Sequence, residues 1–369
     1  MRKHLSGRIK KRKSDHLDIS LEENVQARRA TTGFEEIYLV HRALPEIERK
    51  KIDLSTTVFN HKFSAPLIVE AITGGVEKAT KINAAIADAV DKLGLGMGVG
   101  SQRAAIEDPK LEHTFTVARK KAPKAFILAN LGGAQLAKEY GVKEAKKAVK
   151  MLQADGLAIH LNSLQEAVQP EGNTNYTGLL KKIESLVHNL DVPVIVKETG
   201  AGISAEDAKK LEDAGVAGID VAGVGGTSWA AVEYYRSKRN GNEYHHLGEA
   251  FWDWGIPTVA SLIEITQSVR VPVIASGGIR SGIDITKALA LNASLTGVAY
   301  PILGPAVNSA EAVEKKLRLL IDELRNAMFL VGADSVQKLK KVPLIVTGKM
   351  AEWLSIRGFE LQAYARRSL

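Results

Sequence analysis

The sequence predicts a closed (β/α)8 barrel, an α/β fold of the TIM type with an N-terminal extension and C-terminal helices. Three observations carry this expectation. Eight short aliphatic runs recur along the chain, helical patterns fill the intervals, and nearly every run ends in polar or glycine-rich residues.

The runs are PLIVEA (66–71), LGLGMGV (93–99), AFILAN (125–130), GLAIHL (156–161), PVIVK (193–197), AGIDV (217–221), PVIAS (272–276) and LTGVAY (295–300). Five of the seven intervals between their starts span roughly 22 to 32 residues, room for a strand, a helix and two short loops. The runs are continuously apolar rather than alternating, as parallel strands covered on both faces require. Residues 79–92, 142–154 and 204–214 place apolar side chains at helical spacing, and Ser204 with Asp207 forms a capping pair. Alternating strand and helix force a parallel sheet, and eight strands close it. A doubly wound sheet rarely has eight such regular units.

Two segments depart from the repeat. The interval between the sixth and seventh runs holds a long loop, 223–255, with Trp229, Trp252 and Trp254, before a helix at about 258–269. Long structured loops in compact domains are usually functional. Residues 1–60 read as a basic arm and extension, 61–308 as the barrel and 309–369 as helices packed on it, one domain overall.

The 369 residues are 45% hydrophobic, ample for a large core. There is no cysteine, which excludes disulfides, thiolate zinc sites and a thiol nucleophile or acid. No apolar stretch follows the basic N-terminus and none is long enough to cross a bilayer, so a soluble cytoplasmic protein is expected. Of the net charge of +8, seven units come from Arg2, Lys3, Arg8, Lys10, Lys11, Arg12 and Lys13, leaving about +1 for the rest. Such an arm suits a nucleic-acid binder, a solvated disordered tail, or a grip on a small phosphorylated ligand. The body adds no basic excess and no aromatic strand motif for stacking bases, so no nucleic-acid partner is expected.

Barrel active sites lie at the C-terminal strand ends. There the sequence places Thr73-Gly74-Gly75, Ser101-Gln102-Arg103, Asn130, then His160, Asn162, Gln165 and Glu166, then Lys197, Gly225 to Ser228, Gly277 to Arg280, and Ala299-Tyr300. SGGIRSG (276–282) precedes a helix, where backbone N–H groups and the helix N-terminus favour a phosphate. Lys197 at the end of a buried strand needs a partner, Glu198 or Glu70, or else serves to stabilise developing negative charge.

These residues resemble FMN-dependent barrels, and RKSDH (12–16), TGG (73–75), SQR (101–103), HLNSLQE (160–166) and GTSW (226–229) together resemble the type 2 isopentenyl-diphosphate isomerases over nearly the whole chain. The resemblance implies interconversion of isopentenyl and dimethylallyl diphosphate with reduced FMN and Mg²⁺, NADPH or NADH reducing the flavin, in a homo-oligomer of four or eight chains. It implies catalytic roles for Gln165, His160 and Lys197. Substrate contacts would come from Arg12, Lys13, Ser101, Gln102, Arg103, His160, Asn162 and Gln165. FMN contacts would come from Ala71, Ile72, Thr73, Ser101, Asn130, Lys197, Thr227, Gly278, Ile279, Arg280, Ala299 and Tyr300, and Glu166 would bind the metal. Moving a double bond needs a strong acid in a dry site, and this chain has no thiol to supply it. A 2-hydroxyacid oxidase or dihydroorotate dehydrogenase would share the lysine and the glycine turn. The arm is expected to fold over the barrel mouth when diphosphate binds, in its own chain or a neighbour's.

Overall fold

The computed structural model describes residues 2–368, and the side chains of Arg2, Lys3, Arg8 and Lys10 lie outside the described residues. All eight apolar runs become strands of one closed parallel barrel: β1 (Leu67–Val69), β2 (Gly96–Gly98), β3 (Phe126–Gly132), β4 (Gly156–His160), β5 (Val194–Lys197), β6 (Gly218–Asp220), β7 (Val273–Ala275) and β8 (Leu295–Val298). Each strand pairs with its sequence neighbours, and β8 closes on β1 through Thr296 to Leu67 and Val298 to Val69.

Side chains alternate across the wall. Ile68, Phe126, Leu128, Ala158, Ile195, Ile274 and Leu295 fill the barrel interior, while Leu67, Val69, Ile127, Leu157 and Val196 face the helices. The interior floor is sealed by a hairpin, Thr56–Val58 with His61–Phe63. Phe59 at its tip stacks on Phe126, ring centroids 5.8 Å apart. The hairpin left little signal in the sequence. Its two-residue turn takes positive φ at Phe59 and Asn60, without the Asn-Gly or Asp-Gly pair that marks such turns.

The helices lie where the apolar periodicity puts them, among them Glu77–Leu93, Val142–Leu152, Ala205–Asp213 and Thr258–Ser268. Ser204 caps its helix by accepting from the Asp207 N–H at 3.2 Å. Helix Ala310–Leu330 packs between Glu77–Leu93 and Gly282–Ala290, completing the helical ring. Beyond it, Leu344–Val346 pairs antiparallel with Ile37–Leu39, tying the two extensions together. No helix among the described residues is long and apolar enough to cross a membrane.

The arm is a helix, Arg2–Glu22, followed by an extended segment along the sixth strand's loop. Leu17 and Ile19 are buried under it. Its charged N-terminal half thus continues into an anchored half that lies over the mouth of its own barrel.

Candidate active site

One cavity of about 270 Å³ opens at the C-terminal strand ends. The next holds about 10 Å³, room for a single water. Side chains at the strand ends line its floor: Glu70 after β1, Asn130 on β3, His160 on β4, Lys197 on β5 and Ser276 after β7, with Asp220 on β6 buried beside Lys197.

Lys197 sits at the centre of the floor. Its Nζ donates to Glu198 O at 2.8 Å and lies 3.3 Å from Asp220 Oδ2 and 3.5 Å from Glu70 Oε2. Burial by itself would lower its pKa, but the Asp220 and Glu70 carboxyls outweigh that and raise it. Lys197 is therefore a permanent cation. The Ser276 hydroxyl donates to Asp220 Oδ1, which stabilises that carboxylate as well.

His160 is held differently. Asn130 Nδ2 donates to Val99 O at 2.9 Å, which turns its Oδ1 toward His160 Nδ1 at 2.7 Å. Nδ1 therefore carries the hydrogen and Nε2 is a bare acceptor. Burial, then Lys197 and Lys13, push its pKa down to about 3. In this arrangement the ring is neutral, with an acceptor rather than a donor at Nε2.

On the rim, Lys13 Nζ donates to Gly74 O at 2.7 Å and Ser101 O at 2.6 Å. Burial, Arg12 and Arg103 push its pKa down to about 7. Arg12 has Glu171 only at 4.0 Å, and Arg103 bonds Glu107 at 2.7 Å. Three cations converge with little compensating acid, which is a site for a multiply charged anion.

A second anion cradle lies across the mouth. Gly277 and Gly278 have φ of +95° and +72°, and a Cβ on Gly226 would stand 2.5 Å from Gly278 Cα. Only glycine lets these two turns touch. The N–H groups of Gly278, Ile279 and Ala299 make no hydrogen bond among the described residues. The N–H groups of Arg280 and Ser281 are already bonded to Asp284. The Arg280 guanidinium lies over Tyr300, 5.2 Å from the ring centroid.

Between the cradles, Gln165 Nε2 donates to Glu233 Oε1 at 3.1 Å. Glu233 also accepts from His16 Nε2 at 2.8 Å and Arg236 Nε at 2.6 Å. Burial would raise its pKa, but His16 and Arg236 hold it at about 2. Glu166 accepts from Asn173 N at 2.5 Å and Asn162 Nδ2 at 3.2 Å.

The chain matches the family described as FMN-dependent dehydrogenase over residues 5–128 and 142–345. It is 51% identical to an isopentenyl-diphosphate delta-isomerase of Methanosarcina barkeri over 96% of this chain and 97% of that one. It is 50% identical to that of Methanothermobacter thermautotrophicus, over 98% of this chain and 100% of that one. The chain belongs to the isopentenyl-diphosphate delta-isomerase family. Among solved structures, a putative lactate oxidase from Pediococcus acidilactici superposes with a TM-score of 0.66 at 19% identity, covering 94% of each chain. A mandelate oxidase mutant carrying an FMN adduct gives 0.58 at 21% identity, over 86% of this chain and 90% of that one. At these identities the likeness speaks for the barrel alone.

In this member of the isomerase family, every site residue expected from the sequence lines the cavity except Gln102. Gln102 is fully buried behind it. Its Nε2 donates to Ala148 O and its Oε1 accepts from Asn130 N, both at 2.9 Å. The side chain thus braces the end of β3 and, through Asn130, orients His160. It is not placed to contact substrate. Glu70 was weighed in the sequence only as an ion-pair partner for Lys197, and His16 and Trp229 only within motifs; Asp220 and Glu233 were not singled out. Glu70 and Asp220 sit in apolar runs, and Trp229 and Glu233 on a helix, Trp229–Arg239, inside the long loop.

The three loop tryptophans separate. Trp229 lines the cavity, edge-on to His16 at 5.2 Å. Trp252 is buried against Ile19, Val25 and Val232, and Trp254 is exposed. The turn 170–172 also gains a reason. Glu171 pairs with Arg236 at 2.9 Å, and a Cβ on Gly172 would stand 1.8 Å from Glu166 O. Gly172→Ala should therefore destabilise by about 1–3 kcal/mol and displace Glu166, read as a lower melting temperature. An unchanged melting curve would contradict this packing.

Proposed function

We propose that the protein interconverts isopentenyl and dimethylallyl diphosphate, with FMN on the glycine-turn side of the cavity and the diphosphate on the Arg12–Lys13–Arg103 side. The observation that carries this is the pair of separate anion cradles flanking one apolar-walled cavity. One suits a cofactor phosphate and the other a substrate diphosphate.

The residues fit FMN. Free N–H groups at Gly278, Ile279 and Ala299 with Arg280 suit its phosphate. Ala71, Ile72, Thr73, Ser101, Asn130 and Thr227 wall the space between that cradle and Lys197. Bound and reduced, FMN supplies a proton donor and acceptor beside the alkene. Lys197 would supply a fixed positive charge at the cavity floor, which would favour an anionic reduced flavin.

The residues also fit Mg²⁺, in one specific way. Among the described residues no cluster of three acids or histidines could hold a metal alone. Glu166 gives one carboxylate, and Mg²⁺ commonly takes one or two, with phosphate oxygens and water completing its shell. Asn162 orients Glu166, and Arg12, Lys13 and Arg103 carry the remaining phosphate charge. Gln165, fixed by Glu233 and His16, faces the hydrocarbon between the two cradles. Trp229 and Leu17 exclude water there and offer an aromatic face to positive charge developing on the alkene. NADPH or NADH serves as reductant of the flavin, and the active form is a homo-oligomer.

The deciding assay uses protein, FMN, dithionite or NADPH, Mg²⁺ and isopentenyl diphosphate without oxygen. Dimethylallyl diphosphate should appear with no net consumption of reductant after the flavin is reduced. Absence of product under these conditions overturns the reading. Net reduction of the flavin by lactate or mandelate would instead favour oxidase chemistry.

Lys13 adds a pH dependence. Its depressed pKa of about 7 leaves it partly neutral at pH 8, and a bound diphosphate favours the charged form. Substrate binding should therefore take up a proton above pH 7, and the KM should rise with pH, approaching about tenfold per unit. A KM flat from pH 6.5 to 9 would refute this.

A further inference from the structure

Glu70 has no role in the reading above, yet it occupies the cavity floor. It is 7% exposed and lines the cavity. Its Oε2 faces Lys197 at 3.5 Å, while Oε1 has no hydrogen-bond partner. The space it fills exists because its neighbour on β8 is a glycine: a Cβ on Gly297 would stand 2.4 Å from Glu70 Oε1. The titratable groups that face it are Lys197 from β5 and Asp220 from β6. His160 on β4 and Glu198 beyond β5 act on it through Lys197.

Two carboxyls therefore flank one ammonium in a buried ring. Lys197 balances only one of them. Asp220 lies nearer the ammonium and also accepts from Ser276, whereas Glu70 Oε1 has no partner. We propose that Glu70 is the charge-setting residue of the cofactor floor, holding a proton so that Lys197 keeps its positive charge available to an anionic ring above it. This rests on the FMN reading. Burial and Asp220 push the Glu70 pKa up to about 8, in keeping with a protonated group at neutral pH.

The proton balance follows. Below pH 8 Glu70 is a neutral acid, and the floor of Glu70, Lys197 and Asp220 carries no net charge. Above it, Glu70 ionises and the floor becomes negative. Reduction of the flavin by two electrons from dithionite then adds negative charge, and Glu70 recovers one proton from solvent. Glu70 is thus a positioning group for charge and takes no electrons itself.

The test is the midpoint potential of the FMN-loaded protein from pH 6.5 to 9.5. Wild type should show a break near pH 8. Above it, preference for reduced over oxidised FMN should fall about tenfold per pH unit more steeply, about 30 mV for a two-electron couple. Glu70→Gln, which keeps a neutral hydrogen-bonding group, should lack the break. A wild-type line with no break overturns the proposal whether or not the variant folds. A break that persists in Glu70→Gln assigns it to another group, such as Glu198, and also overturns it. Failure of wild type to retain FMN on ultrafiltration would instead defeat the cofactor reading.

Discussion

Replacing Arg12 and Lys13 together by alanine should raise the KM for isopentenyl diphosphate by about a hundred- to ten-thousandfold, since each hydrogen bond to a charged group contributes about 1.5–3 kcal/mol. Bound FMN should be unaffected, because the glycine turns that suit its phosphate lie across the cavity. Deleting residues 1–13 should act the same way while leaving the anchored half of the helix, including Leu17 and Ile19, in place. The measurement is a saturation curve for each variant with FMN retention checked by ultrafiltration. An unchanged KM would show that the rim cations do not hold the diphosphate. Loss of FMN in both variants would show that the two cradles are not independent.

Lys197→Met should lower kcat by about 10² to 10³, the size of effect seen when one group aimed at developing charge is removed. It should also destabilise, because breaking a buried ion pair costs about 3–5 kcal/mol. The pH dependence identifies the cause. Without the ammonium, which lowers it in the wild type, the Glu70 pKa rises still further above its unfolded value. The folded state then binds more protons than the unfolded state, so stability falls as pH rises through and beyond the ordinary carboxylate range. Adding Glu70→Gln to Lys197→Met removes the carboxyl whose raised pKa carries this pH dependence, and should restore part of the lost melting temperature above the ordinary carboxylate range. A Lys197→Met protein whose melting temperature is independent of pH between 5 and 9 would refute this account.

The barrel was legible because its signal is local. Eight apolar runs with helical patterns between them leave few ways to close a parallel sheet. The strand ends were legible because polarity after a buried strand is conspicuous, as at His160 to Glu166. Gln102 misled for the same reason. Adjacent to Ser101 and Arg103 in one polar triplet, it points the other way, and a one-residue change of direction is not written in composition. Asp220 hid within an apolar run, and Glu70 was legible only as a partner for Lys197. Their importance depends on Lys197, which is more than 100 residues from Glu70 in sequence.

The sequence by itself determined the barrel, its order of strands, the cysteine-free chemistry and the glycine turn suited to a phosphate, because each depends on residue type over a short span. Only the tertiary structure decided the charge of the floor, the tautomer of His160 and the placement of Arg12 and Lys13 over their own barrel. Those properties depend on which groups meet across the cavity and how far water is excluded from them. A pKa or a hydrogen-bond direction is set by neighbours that the chain brings together only on folding.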